Sequence, residues 1–183
     1  MIINGKSLLK AAPIQNMQTS KQKFGGVSHG LAEAGYDIRI AQTVKFYPSN
    51  WFFHSGIMIT GLSDITEKME TYRTSGRFTL ASAIEKFQMP NDLVGVVHDK
   101  STWARRGLSV FNTVIEPGWN GYLTLELVFH GNKPVVIEAG QGIAQVLFSK
   151  LEEPGDYGNG KYQNQENRPV EARTEHRTLD RKV

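Results

Sequence analysis

Residues 122–128 alternate strictly: Leu123, Leu125 and Leu127 fall on one side, Tyr122, Thr124, Glu126 and Val128 on the other. The leucine side predicts a core-facing strand surface. Glu126 then lies on the opposite side, where packing has no use for a carboxylate. Pro117-Gly118 and Asn120-Gly121 just before are turn signals, so this strand returns from a hairpin or tight loop. Similar strand material recurs at residues 36–40, 43–47, 51–53, 57–59 and 78–87, and residues 135–148 read as two strands around a glycine turn. Residues 1–17 predict a short helix capped by Asn4 or Ser7, carrying Leu8, Leu9 and Ala12 and stopped by Pro13. Residues 18–30, polar and glycine-rich, read as a loop. Residues 64–73 (DITEKMETYR) fit a helical insertion or a strand with its loop. Many short strands, regular turns and almost no helix predict an all-β fold, a barrel or jelly roll.

The 183 residues suffice for one domain with a substantial core. With 39% hydrophobic and 21% charged residues, the class is globular rather than disordered. No apolar run reaches the length of a membrane span, and MIINGKSLLKAAPIQ lacks a signal-peptide core, so the expected location is cytoplasmic. A net charge of +3 fits an anionic small molecule better than nucleic acid, which calls for a concentrated basic face. From Leu151 onward the chain turns polar, charged and glycine-rich, which on composition alone reads as a flexible tail. Beyond Arg168 the expectation is disorder, or packing that the sequence does not predict.

Residues 100–106 bring Lys100, Arg105 and Arg106 together with the Ser101 and Thr102 hydroxyls. Cations that donate charge-assisted hydrogen bonds, completed by hydroxyls, suit a polyphosphate. Cysteine is absent, and the five histidines (29, 54, 98, 130, 176) show no ligand spacing. A zinc nucleobase deaminase needs a cysteine-containing site, so any deamination by this chain is expected to proceed without catalytic zinc.

Three runs resemble the dCTP deaminases of the trimeric dUTPase-like superfamily: KSTWARRGL at 100–108, VIEPGWNG at 114–121 and LTLEL at 123–127. Ala34-Gly35-Tyr36-Asp37, PNDLVG at 90–95, QGIAQVLF at 141–148 and the Tyr157…Lys161-Tyr162-Gln163-Asn164-Gln165 stretch resemble further family motifs. The resemblance covers roughly residues 33–40 and 78–166. It implies a distorted β-barrel over residues 1–155, a homotrimer with sites between subunits, and a tail at 156–183 whose residues 157–165 close over the nucleotide. It implies hydrolysis of dCTP to dUTP and ammonia in pyrimidine deoxynucleotide metabolism, with neither nucleic acid nor membrane as partner. Glu126 and Ser101 would be catalytic. Lys100, Ser101, Thr102, Arg105, Glu116, Thr124, Leu125, Gln145, Tyr157, Lys161 and Gln165 would bind substrate, and Mg²⁺ would arrive on the triphosphate.

Three departures stand out. Glu116 occupies a position where Asp is usual, the 107–116 loop is short, and Val114 stands where the family carries arginine. A dUTP diphosphatase, or a bifunctional enzyme continuing to dUMP, is the alternative; KYQNQ in place of a glycine-rich phosphate motif speaks against it.

Overall fold

The computed structural model describes residues 1–48, 54–62, 68–111 and 113–174. The chain opens with β1 (Ile2–Ile3) and α1 (Gly5–Ala11). The helix buries Leu8 and ends at Ala12, in the left-handed conformation just before Pro13. Asn4 stands at the N-cap as expected, but its side-chain amide donates to the Glu33 carbonyl at 2.7 Å instead of capping.

The expected loop at 18–30 is instead a hairpin of β2 (Lys21–Phe24) and β3 (Val27–Leu31). Gly25 and Gly26 turn it with φ of 55° and 78°. Two consecutive positive-φ residues make the tight turn whose twist matches paired strands, and glycine adopts it without strain. β2 is exposed along its whole length, which accounts for its polar sequence.

Next come β4 (Tyr36–Arg39), β5 (Thr43–Tyr47), β6 (Gly56–Leu62), β7 (Met69–Ser75), β8 (Phe78–Gln88) and β9 (Leu93–Asp99). Residues 69–73 of the polar 64–73 stretch lie in β7, an exposed edge strand paired to β6. The strand expected at 51–53 lies outside the described residues, as do residues 64–67. The four-residue helix α2 (Ser101–Ala104) then leads to β10 (Leu108–Val110), β11 (Val114–Ile115), β12 (Asn120–Phe129), β13 (Val135–Ile137) and β14 (Gly142–Lys150).

Among the described residues, the strands form three sheets rather than a closed barrel. Seven strands run β11-β9-β14-β4-β3-β2 with β1 added on β14; three run β10-β12-β8; four run β13-β5-β6-β7. One continuous core joins them, with Ile38, Val44, Phe87, Leu127 and Phe148 fully enclosed. Each such side chain contributes about 1.5–3 kcal/mol by leaving water. Phe46 stacks on Phe129 at 5.2 Å, linking the four- and three-stranded sheets. No helix among the described residues is long and apolar enough to cross a membrane.

Candidate active site

β12 is where the alternation matters. Leu125, Leu127 and Phe129 are buried in the core, as their side of the strand predicts. Pairing with β8 shifts register between Tyr122 and Thr124, so that Tyr122 faces Lys86 while Thr124 faces Ser82. The irregularity turns the strand locally, and Leu123, expected wholly in the core, both packs on it and lines a cavity on the other side.

That cavity, about 1470 Å³, receives Thr124 and Glu126 from β12 and Leu80 from β8. Glu116 and Trp119 enter from the turn before β12, and Tyr157, Tyr162 and Gln165 from the C-terminal segment. Glu126 Oε2 is enclosed and accepts no hydrogen bond. Burial raises its carboxyl above the ordinary value of 4.5, opposed by a backbone hydrogen bond. A buried carboxylate oxygen without a partner is costly to keep, and groups perturbed in this way cluster where ligands bind.

The C-terminal segment is not loose. The Trp119 indole donates to the Tyr162 carbonyl at 2.8 Å, and Gln163 accepts from the Asn120 amide at 2.7 Å while donating to the Gly118 carbonyl at 2.9 Å. Tyr122 N–H donates to the Gln165 carbonyl at 3.0 Å. This close approach needs Gly121, at φ 145°: a Cβ there would meet the Gln165 amide nitrogen at 2.7 Å. Gln165 Nε2 donates to Thr124 Oγ1, and Val170 N–H donates to the same oxygen at 3.0 Å. Both hydroxyl lone pairs are thereby used, and its own proton is the donor that remains. The tail expected to be flexible on composition is thus docked along residues 116–124. Residues 167–172 form part of the cavity wall, including 169–172 beyond Arg168, for which the sequence predicted disorder or no particular packing.

A second cluster is built on α2. The Trp103 side chain, 1% exposed, donates from Nε1 to the Gly142 carbonyl at 2.7 Å and pins the helix to β14. Around this anchor Ser101 and Arg105 are exposed, and Thr102 is half-buried. Lys100 turns inward onto Asp37, whose carboxylate also accepts from Gln145.

Of the expected site residues, Glu126, Glu116, Thr124, Tyr157 and Gln165 therefore share one cavity. Lys100, Ser101, Thr102, Arg105 and Gln145 lie outside its lining. Leu125 sits 1% exposed on the core side, so its side chain is no part of the cavity. Lys161 is exposed and also outside the lining; its ammonium donates to the Arg173 carbonyl at 3.2 Å and lies over the Tyr162 ring. The reading of the sequence missed the wall supplied by Glu70, Tyr72 and Thr74 of β7, because nothing local says which strand edge faces β12.

A family model described as dCTP deaminase-like matches residues 9–151. A dCTP deaminase of Acidobacterium capsulatum is 32% identical over 166 residues, covering 84% of this chain and 87% of that protein. A dCTP deaminase of Campylobacter fetus is 37% identical over 155 residues, covering 78% and 80%. The crystal structure of 2'-deoxycytidine 5'-triphosphate deaminase from Agrobacterium tumefaciens superposes with a TM-score of 0.50 at 12% identity, over 84% of this chain and 49% of that one, a likeness of fold. The chain belongs to the dCTP deaminase-like family.

Proposed function

We propose that this chain hydrolyses dCTP to dUTP and ammonia. The observation that carries the reading is Glu126, whose Oε2 is enclosed without a hydrogen-bond partner in a cavity large enough for a nucleoside. Water adds to C4 of the cytosine ring as Glu126 takes one of its protons. The same carboxylate gives that proton to N3 and then carries the proton of the new C4 hydroxyl to the amine, so that the C4–N bond breaks to release ammonia as the C4 carbonyl of dUTP forms. A carboxyl whose affinity for protons is raised by burial suits a group that must both accept and give one near neutral pH. The chain has no cysteine with which to build the zinc site of the zinc nucleobase deaminases.

Charge divides the substrate between the two clusters. The cavity is lined by Glu70, Glu116, Glu126 and Glu171 with Arg168, a setting that repels a triphosphate and accepts a base and sugar. The hydroxyls and cations of residues 100–105 suit the phosphates. That division supports a homotrimer in which residues 100–105 of a neighbouring copy meet the Glu126 cavity, with Ser101 helping to hold the attacking water. The set is cationic and hydroxylic, which fits an anion bringing its own Mg²⁺ rather than a cation caged by protein. When bound there, Mg²⁺ neutralises phosphate charge.

Purified protein supplied with dCTP, and separately with dUTP, in Mg²⁺ tests the reading by following ammonia, pyrophosphate and nucleotide products. Stoichiometric ammonia and dUTP from dCTP are expected, from particles of three times the 20.5 kDa chain mass. Pyrophosphate from dUTP without ammonia from dCTP would overturn it. As a test of shared sites, mixing Glu126→Gln with Arg105→Ala subunits should restore activity that neither variant has alone.

A further inference from the structure

The Asp37 carboxylate is 2% exposed, yet it gathers three donors from separate parts of the chain. Lys100 Nζ, from the turn into α2, lies 2.5 Å from Oδ2. Ser28 Oγ on β3 donates to the same oxygen at 3.1 Å, and Gln145 Nε2 on β14 donates to Oδ1 at 3.0 Å. Gln145 is the register partner of Asp37 across the β4–β14 ladder and of His98 across β14–β9, two residues before Lys100. The Lys100 side chain is itself 10% exposed.

A buried ion pair is a poor device for stability alone, because the desolvation of both charges offsets their attraction. It is a good device for holding a long side chain still. A lysine that meets its ligand from solvent gives up much of its rotamer freedom on doing so. Here that ordering accompanies folding instead. An ammonium has three donors, and one directed at Asp37 leaves two for a ligand. The pair is close to neutral overall, so Lys100 contributes placed hydrogen bonds, while exposed Arg105 and Arg106 contribute the longer-range attraction.

We propose that Asp37 is a positioning residue: its carboxylate fixes Lys100 and Gln145 in the arrangement that receives the substrate's phosphates, and it acts through them. The proposal rests on the reading of residues 100–105 as the triphosphate segment.

The ratio of kcat/KM for dCTP to that for dCMP tests it, since a loss of stability alone leaves that ratio unchanged in the folded protein. Asp37→Asn and Lys100→Gln should each lower the ratio about tenfold or more, the scale of hydrogen bonds to charged groups. The double variant should fall no further than Lys100→Gln alone. Ser28→Ala, which removes one donor from Asp37 without opening a large void, should lower the ratio by a smaller factor and remain soluble. The proposal is overturned if Lys100→Gln lowers the ratio while Asp37→Asn does not, or if the two effects multiply. Should Asp37→Asn fail to fold, an unchanged ratio in Ser28→Ala overturns it equally. If Lys100→Gln leaves the ratio unchanged, residues 100–105 are not the phosphate site and the underlying reading fails with the proposal.

Discussion

Replacing Glu126 with glutamine should make this protein more stable and nearly inactive. Glu126 Oε2 is enclosed without a partner, and burial raises its proton affinity. An unsatisfied buried polar group costs about 1–3 kcal/mol, more when charged. Glutamine has nearly the same shape and no charge to desolvate, but keeps one unpaired polar atom, so about 1 kcal/mol should return at neutral pH. For a chain of this length that corresponds to about 2–4 °C in Tm, measured by calorimetry at matched protein concentration. The sign follows from the direction of the shift. A carboxyl with a raised folded-state pKa penalises the fold only where it would ionise. The advantage of glutamine should therefore be present at pH 7 and vanish as the pH falls to the ordinary carboxylate value of 4.5 and below. Ammonia release should fall by about 10²–10⁴-fold with dCTP still bound, because glutamine cannot carry the proton. In the unmutated protein, kcat/KM should decline on the acid side at a pH above 4.5, as Glu126 becomes protonated. A variant that melts lower than wild type at pH 7 would falsify the reading of Glu126 as a strained catalytic carboxylate and make it a packing residue. Near-normal deamination would remove it from the chemistry.

Arg105→Lys should raise KM for dCTP with little change in Tm, since an ammonium cannot reproduce a bidentate guanidinium contact; an unchanged KM would shift that role to Arg106. Truncation before Tyr157 should abolish most turnover and lower Tm by a few degrees, because it strips the docked segment from residues 116–124 and uncovers Trp119. Wild-type turnover by the truncated chain would show that the segment is no part of the site. Glu85, buried, accepts from both the backbone and the guanidinium of Arg39 at 2.8 Å. Glu85→Ala should lose about 3 kcal/mol by leaving Arg39 half-buried without its counter-ion, read as the denaturation midpoint, and no change in midpoint would mark the pair as dispensable.

Alternation, turn residues and composition are local properties, and they carried far. The all-β class, the strand bearing Glu126 with leucines on its other side and the helix stopped by Pro13 were legible, because each depends on side-chain period or backbone preference within a few residues. Where composition was read instead of turn chemistry, the reading failed. Gly25-Gly26 between β2 and β3 is a hairpin signal that the polarity of an exposed edge concealed. The same error made the tail flexible, because its backbone and side-chain hydrogen bonds go to residues some forty positions earlier, at Gly118, Asn120 and Thr124. Only the tertiary structure could decide these pairings, along with the register shift that turns Leu123 toward the cavity, the β7 wall, and the choice of Asp37 as the partner of Lys100. Each joins segments far apart in sequence, and a local pattern specifies which face a residue occupies, not what will lie across from it.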